Sequence, residues 1–153
     1  MKILKYTIIF LIINFAALAI GTWLMNDGPK TIWYQNLNKA PWTPSGWVFG
    51  AAWSTIMICF SVYMAYLYNA LPKNKILFLF SLQFICNVIW NYVFFNQHLI
   101  SLGLLVILTL TLLIATFLFS FKTILKTKSL LIIPYFLWLC IASSLNAYIL
   151  IYN

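Results

Sequence analysis

The sequence has very little charge and almost no acidic side chains. Among its 153 residues are nine lysines, no arginine and one carboxylate side chain, that of Asp27. Charged residues make up 7% of the chain, whereas an average soluble domain has roughly 25%. This shortage excludes an ordinary soluble enzyme and places the chain among membrane proteins.

The shortage of acid also limits the chemistry. A single carboxylate provides no acid/base pair, no carboxylate metal site and no proton path through a membrane. His98 lies in a short turn, where a solvated or interfacial histidine is the simplest interpretation. The three cysteines have no CxxC spacing. The lysines are scattered and form no basic face, so nucleic acid is not expected as a partner. No metal and no required cofactor are predicted.

Long apolar runs are abundant, since 65% of the residues are hydrophobic. A helix of about 20 apolar residues crosses the hydrocarbon core of a membrane, and the chain has five such runs. They predict one all-α domain, residues 1–153, built as a bundle of five transmembrane helices. The predicted helices cover about 3–25, 46–70, 76–96, 99–121 and 130–152. Residues 26–45 form a long first loop, in which Ile32, Trp33 and Leu37 are spaced like a helix face and predict an ordered lid.

The lysines predict the orientation. One side of the bundle is expected to carry Lys2, Lys5, Lys73, Lys75, Lys122, Lys126 and Lys128, and the other Lys30, Lys39 and Asp27. The positive-inside rule then gives a multi-pass protein of the cell membrane with a cytoplasmic N-terminus. The first loop and the C-terminus would lie outside. The first helix also resembles a cleavable signal peptide, although four further spans favour its retention.

Polar and aromatic residues form stripes within three of the predicted helices. The stripes are Trp53, Met57 and Met64; Gln83, Asn87, Trp90 and Asn91; and Tyr135, Trp138, Ala142 and Asn146. An unpaired amide in hydrocarbon costs a few kcal/mol, so these faces should point into the bundle. For Gln83 and Asn146, packing between helices and ligand binding are equally good interpretations. Trp53, Asn87 and Trp138 favour a pocket for a flat apolar ligand.

Three motifs resemble one known family. The stretch "WYQNLNKAPWTPSGWVFGAAW", Trp33 to Trp53, resembles WYxxLxKPxWxPPxWVFGPVW, a signature of the tryptophan-rich sensory protein or translocator protein family (TspO/MBR, peripheral-type benzodiazepine receptor). "NVIWNYVFF", from Asn87, resembles the family's NxxWSxxFF. "PYFLWLCIASSLNAYILIYN", from Pro134, resembles PYxxWxxxAxxLNxxIxxLN. With five spans in the expected places, the resemblance covers nearly the whole chain.

The resemblance implies a bundle that is usually dimeric and takes flat ligands between its helices under the first loop. Porphyrins, haem-related tetrapyrroles and synthetic benzodiazepine-site compounds are the implied ligands, with sterols in animal members. A receptor or carrier of tetrapyrroles, surrounded by membrane lipid and forming a homodimer, is therefore expected. The expected ligand-binding residues are Trp33 and Trp42 in the lid and Trp53, Met57, Asn87, Trp90, Asn91, Trp138 and Ala142 in the helices.

Other interpretations stay open. Some bacterial members of the family are credited with light-dependent breakdown of protoporphyrin, for which Trp53 and Trp138 would be the reactive residues, since conventional catalytic groups are lacking. A purely structural role would use the aromatic stripes for helix packing alone, and Trp33 and Trp42 also suit an interfacial aromatic belt. Lys30 or Lys39 is expected to pair with a ligand carboxylate. Ser45 and Ala51 replace prolines of the signature, so the geometry of the lid is left undetermined.

Overall fold

The computed structural model describes residues 1–153, apart from the side chain of Lys73. In this described part five helices are long and apolar enough to cross a membrane, and no strand occurs. The long helices are α1 (Lys2–Leu24), α3 (Gly46–Ala70), α4 (Lys73–Asn91), α5 (Ile100–Ser120) and α7 (Ile133–Tyr152), and the short ones are α2 (Ile32–Asn36) and α6 (Lys122–Leu125). The all-α fold with five spans and an ordered first loop is thereby confirmed.

The helix ends follow from local backbone chemistry. α3 ends at Ala70 because Pro72 disfavours a helical conformation at Leu71, which is extended (φ −129°, ψ 164°). α1 is followed by Asn26 in the left-handed region (φ 55°), a conformation that asparagine tolerates better than most residues. α4 runs on into a π-helical segment, Tyr92–Asn96. The predicted third span, 76–96, therefore begins earlier and ends in a different helix type.

The last span begins later than predicted. The sequence predicted a helix from residue 130, but Lys126–Ile132 is a 3₁₀-helix and α7 begins at Ile133. Pro134 explains the difference, because it has no backbone N–H to donate. In the first turn of a helix this N–H would have no partner, whereas deeper in the helix its absence removes a hydrogen bond.

The five spans form a ring in the order α1, α3, α7, α5 and α4. Polar contacts join the spans: between neighbours, the Asn14 amide donates to Ser61 Oγ (2.8 Å), and across the ring the Tyr63 hydroxyl donates to the Phe117 carbonyl (2.7 Å). Phe60 packs on both Tyr63 and Phe117, so aromatic rings fill this part of the interior. The backbones of α3 and α7 approach each other less closely than those of the other neighbouring spans, and aromatic side chains such as Phe49 and Trp138 fill the space between them.

The two ends of the bundle differ in charge. We call the end that contains the start of α1, the α3–α4 turn and α6 the lysine end, after Lys2, Lys5 and Lys75. The opposite end, where residues 25–45 connect α1 to α3, is the loop end. Asp27, the one carboxylate side chain of the sequence, lies at the loop end, so no acidic side chain offsets the lysines.

Candidate functional site

The first half of the loop is held over the bundle by aromatic and polar contacts. The Trp33 ring stacks on the ring of His98 in the α4–α5 turn, with centroids 4.0 Å apart, and meets Phe94 edge-on at 5.7 Å. Further along, the Asn38 backbone N–H donates to Asn153 Oδ1 (2.8 Å). Asn38 Nδ2 donates to the Tyr152 carbonyl (3.0 Å). The loop is thus fastened to the end of α7.

The second half of the loop runs down the outside of α7. Trp42 Nε1 donates to Ser144 Oγ (3.1 Å), and its ring meets Tyr148 edge-on at 5.5 Å. Ser144 lies about 14 Å along the helix from Asn153, at a rise of about 1.5 Å per residue. The chain descends this far between Asn38 and Trp42 and ends the descent in a turn, in which the Thr43 N–H donates to the Ala40 carbonyl (2.9 Å). α3 therefore begins well below the end of α7.

A cleft lies where the loop leaves α7. It has a volume of about 380 Å³ and is lined by Val48, Ala51, Ala52, Thr55 and Ile56 of α3 and by Pro134, Leu137, Trp138 and Ile141 of α7. Leu137 (56%) and Ile141 (41%) are exposed, so the cleft opens sideways on the outer surface of the bundle. Ser144 and Tyr148 continue the same face of α7. Trp42, which contacts both, therefore covers the loop end of the cleft.

Trp138 provides the only aromatic ring among the residues that line this cleft. Its side chain is 8% exposed and meets Phe49 edge-on, with ring centroids 5.3 Å apart. Its Nε1 is buried and has no hydrogen-bond partner among the described residues. A buried donor without a partner costs about 1–3 kcal/mol. This group is therefore suited to donate to an acceptor on a ligand.

Trp53, Met57 and Ala142 face the interior of the bundle, behind the cleft. Trp53 is half-buried and meets Tyr135 edge-on, with ring centroids 5.9 Å apart. Met57 is fully buried, and Ala142 is 8% exposed. All three belong to the main hydrophobic core or pack against it, together with Trp138. They lie in the same core as Trp138 but do not line the cleft.

The polar stripe of α4 makes contacts within the protein. Trp90 Nε1 donates to Asn146 Oδ1 (3.1 Å), and Gln83 Nε2 donates to the Tyr135 hydroxyl (2.8 Å). Asn91 Nδ2 donates to the Asn87 carbonyl (3.0 Å). Asn146 is thus paired between helices, whereas Gln83 Oε1 is buried and has no hydrogen-bond partner among the described residues.

The asparagines of α4 differ in their surroundings. Asn87 is buried, with 4% exposure. Asn91 lies against α1, where a Cβ added to Gly21 would be 2.7 Å from Asn91 Nδ2. A side chain at position 21 would therefore displace the Asn91 amide, and Asn91 faces α1 and not the cleft.

The comparisons with known proteins agree with this architecture. The sequence model of the TspO/MBR family matches residues 9–152. The chain belongs to the TspO/MBR family. Tryptophan-rich protein TspO of Bacillus cereus is 35% identical over 120 residues, which cover 74% of this chain and 76% of that protein. Protein CrtK of Rhodobacter capsulatus is 30% identical over 118 residues, 74% of each chain. Tryptophan-rich protein TspO of Archaeoglobus fulgidus is 28% identical and covers 100% of this chain and 97% of its own.

The chain is therefore a multi-pass membrane protein of the TspO/MBR family, and two of its departures from the family signature fall at the cleft. Ala51 and Ala52 stand where the signature has proline and valine, and both line the cleft wall formed by α3. The smaller side chains leave more room opposite Trp138. Ser45, in place of the second proline, precedes α3 in an extended conformation (φ −64°, ψ 151°), as a cap residue does.

Several contacts of this TspO/MBR protein were not predicted. Phe49, Ser144 and Tyr148 help to position Trp138 and Trp42, and sequence analysis singled out none of them for a site. The sequence could have indicated Phe49, because it lies one helical turn before Trp53 and therefore shares a face of α3 with it. For Ser144 and Tyr148 no periodic pattern connects them with the loop, because the loop residue that they contact is more than 100 positions away.

The two lysines of the loop end have different surroundings in this TspO/MBR protein. Lys39 Nζ donates to the carbonyls of Tyr34 (2.9 Å) and Gln35 (3.0 Å), at the end of α2. It also lies 4.9 Å from the centre of the Tyr34 ring. Burial raises the pKa of the Tyr34 hydroxyl above its usual value. Lys30 is exposed. Lys39 therefore has a structural role in capping the loop helix, and Lys30 is the freer cation.

Proposed function

We propose that this TspO/MBR protein is a membrane receptor or carrier that binds a porphyrin or related tetrapyrrole at the α3–α7 cleft. One observation carries the proposal: Trp138, whose buried Nε1 has no partner among the described residues, lines an apolar cleft on the outer surface of the bundle. Ligand sites are typically apolar clefts of about 300–1,000 Å³ with a few polar groups, and 380 Å³ lies in this range. Flat benzodiazepine-site ligands suit the same surface.

The proposed roles of the predicted residues follow from their positions. Trp138 donates a hydrogen bond to the ligand, and Trp42 stacks on the ligand edge that projects beyond the cleft. Trp53, Met57, Asn87 and Ala142 form the interior wall, which a ligand reaches when α3 and α7 separate. Trp90 and Asn91 hold α4 in place, and Trp33 fixes the loop over the α4–α5 turn. Lys30 at the loop end is the proposed partner of a propionate group.

The wider separation of the α3 and α7 backbones supports a route through the side of the bundle. Porphyrins are apolar over most of their surface, so they partition into the bilayer, and a cleft that opens at membrane depth receives them from there. The loop contacts at Asn38 and Trp42 fasten the loop to α7, and no loop residue lines the cleft itself. The loop therefore closes the aqueous end and leaves the lipid side accessible.

A protoporphyrin IX titration tests this function. In detergent, protoporphyrin should quench tryptophan fluorescence beyond inner-filter controls and raise the melting temperature, because ligand at 100 times its Kd adds about 2.7 kcal/mol of stability. Trp138→Phe should weaken binding, whereas the matched variant Trp47→Phe should not, since Trp47 is 75% exposed and does not line the cleft. Equal affinity in both variants would exclude the cleft as the site, and no binding at all would favour a structural role.

A second candidate function is light-dependent oxidative degradation of protoporphyrin. The Trp53–Tyr135 ring contact at 5.9 Å favours it, because two oxidisable rings lie together beside the cleft residue Trp138. The test compares Soret absorbance decay in the light and in the dark, with free porphyrin in detergent as the reference. Trp53→Phe and Trp138→Phe should slow the decay. Decay at the rate of free porphyrin would leave binding as the function.

A further inference from the structure

A larger groove lies between α1 and α4, away from the α3–α7 cleft. It has a volume of about 540 Å³ and is lined by Tyr6, Ile9, Phe10, Ile13, Tyr68, Leu77, Phe80, Ser81, Phe84 and Ile85. Ile9, Leu77 and Ile85 are exposed, so the groove opens on the outer surface of the bundle. Its floor is aromatic, with the Phe10 ring 5.0 Å from Phe80. The groove lies within two spans, where lipid is the solvent.

The groove ends beside positive charge. Tyr6 marks its lysine end, and Lys2 lies one helical turn before Tyr6 on the same face of α1. Lys5 is adjacent to Tyr6, and both lysines are exposed. α1 is about 33 Å long at 1.5 Å per residue, so Asp27 beyond its far end is too distant to neutralise them. An apolar channel with uncompensated cations at its mouth matches an apolar chain with an anionic head.

We propose that the α1–α4 groove binds an anionic phospholipid, with one acyl chain between the helices and the phosphate paired with Lys2 and Lys5. Basic sites between transmembrane helices recognise anionic headgroups in this way. The groove extends from Tyr6 to Ile13, about 10 Å along α1, which is most of one leaflet of a core about 30 Å thick. It therefore takes the headgroup-proximal part of the chain.

The charge also argues against a second copy of the chain as the occupant. A two-fold dimer in one membrane would bring two groove faces together with their lysine ends on the same side. Lys2 and Lys5 of one copy would then face those of the other, and like charges without a carboxylate between them repel. An anionic lipid removes this repulsion, because its phosphate supplies the missing negative charge.

Native mass spectrometry of the delipidated, detergent-purified protein tests the proposal. Phosphatidylglycerol should be retained in preference to phosphatidylcholine with the same acyl chains. Each lysine near the headgroup raises the affinity for an anionic lipid about fivefold, so Lys2→Gln together with Lys5→Gln should lower the affinity for phosphatidylglycerol about 25-fold. The matched variant, Lys122→Gln at the start of α6 with Lys126→Gln just after it, changes the same charge at the same end and should leave the affinity unchanged.

A second pair of variants tests the acyl chain. Ile9→Trp places a large ring in the groove and should weaken lipid binding, whereas Leu4→Trp should not, since Leu4 is 65% exposed and lies about 140° around α1 from Ile9. Glycerol phosphate, which has the headgroup charge without the chains, should not displace the lipid. Equal retention of the two lipids would overturn the proposal, as would equal effects of the two lysine pairs. So would a lipid-free dimer that Ile9→Trp dissociates, because a second copy would then occupy the groove.

Discussion

Removing one indole N–H should have opposite consequences at two tryptophans of this TspO/MBR protein. Trp138→Phe deletes a buried donor without a partner, whereas Trp90→Phe deletes a donor that Asn146 Oδ1 accepts at 3.1 Å. In both variants the change from indole to phenyl removes a similar amount of buried ring surface, roughly 50 Å². At about 25 cal/mol per Å², this ring loss costs about 1.2 kcal/mol. The hydrogen-bond contributions therefore decide the difference.

The two hydrogen-bond contributions have opposite signs. At Trp138 the substitution relieves an unpaired donor, a gain of about 1–3 kcal/mol that offsets the ring loss. At Trp90 it leaves Asn146 Oδ1 unpaired inside the bundle, where Asn146 is 2% exposed, and this adds a loss of about 1–3 kcal/mol. We therefore expect the free energy of unfolding of Trp90→Phe to be at least about 2 kcal/mol lower than that of Trp138→Phe.

The assay is equilibrium unfolding in mixed detergent and SDS micelles, followed by circular dichroism, with the parent protein measured alongside. The free energy of unfolding of Trp138→Phe should lie between about that of the parent and about 2 kcal/mol above it, since relief of the unpaired donor matches or exceeds the ring loss. If Trp138→Phe is destabilised as strongly as Trp90→Phe, the Trp138 N–H has a partner in the folded protein. The argument for a ligand acceptor at the cleft would then fail.

Three further predictions concern the loop, the core and pH. Asn153→Ala removes the side-chain amide that accepts from the Asn38 N–H and donates to the Asn38 carbonyl, and it should increase amide hydrogen exchange in residues 26–45 severalfold with little change in global stability; unchanged exchange would show that other contacts hold the loop. Asn14→Ala should lower the free energy of unfolding by about 1–3 kcal/mol, because it leaves Ser61 Oγ without its donor. The double variant Asn14→Ala with Ser61→Ala should lose less than the sum of the two single losses, and an additive result would contradict the pairing. Burial raises the pKa of the Tyr34 hydroxyl, so its contribution to stability is fully present below about pH 10, where an unfolded tyrosine ionises, and is lost as the pH rises further. The melting temperature of Tyr34→Phe should therefore fall less than that of the parent between about pH 9 and 11.

The five spans were predictable because one strong constraint acts on them. A backbone in hydrocarbon must satisfy its own hydrogen bonds, so a long apolar run in this chain has to be a helix. The span Gly46–Ala70 has the bounds that its sequence predicted, since Pro44 and Pro72 flank it. The start of α7 was predicted three residues too early because hydropathy does not distinguish a 3₁₀-helix from an α-helix.

The candidate site was less predictable, because a helical stripe gives a shared face and not the partner of that face. Periodicity placed Trp90 and Asn91 on one face of α4, yet Trp90 pairs with Asn146 of α7 and Asn91 lies against Gly21 of α1. The contact of Asn38 with Asn153 joins residues 115 positions apart, and no local pattern encodes it. The cleft itself arises from the wider separation of the α3 and α7 backbones, a property of the assembled bundle.

The most direct test of the proposed function is the visible absorption spectrum of the protein purified from cells that make porphyrin. A ligand at the α3–α7 cleft should give a Soret band that co-purifies with the parent protein and with Trp47→Phe, and that is weakened or lost in Trp138→Phe. Purification without any Soret band, together with no quenching by added protoporphyrin, would contradict tetrapyrrole binding. A band of equal intensity in Trp138→Phe would contradict its location at the cleft.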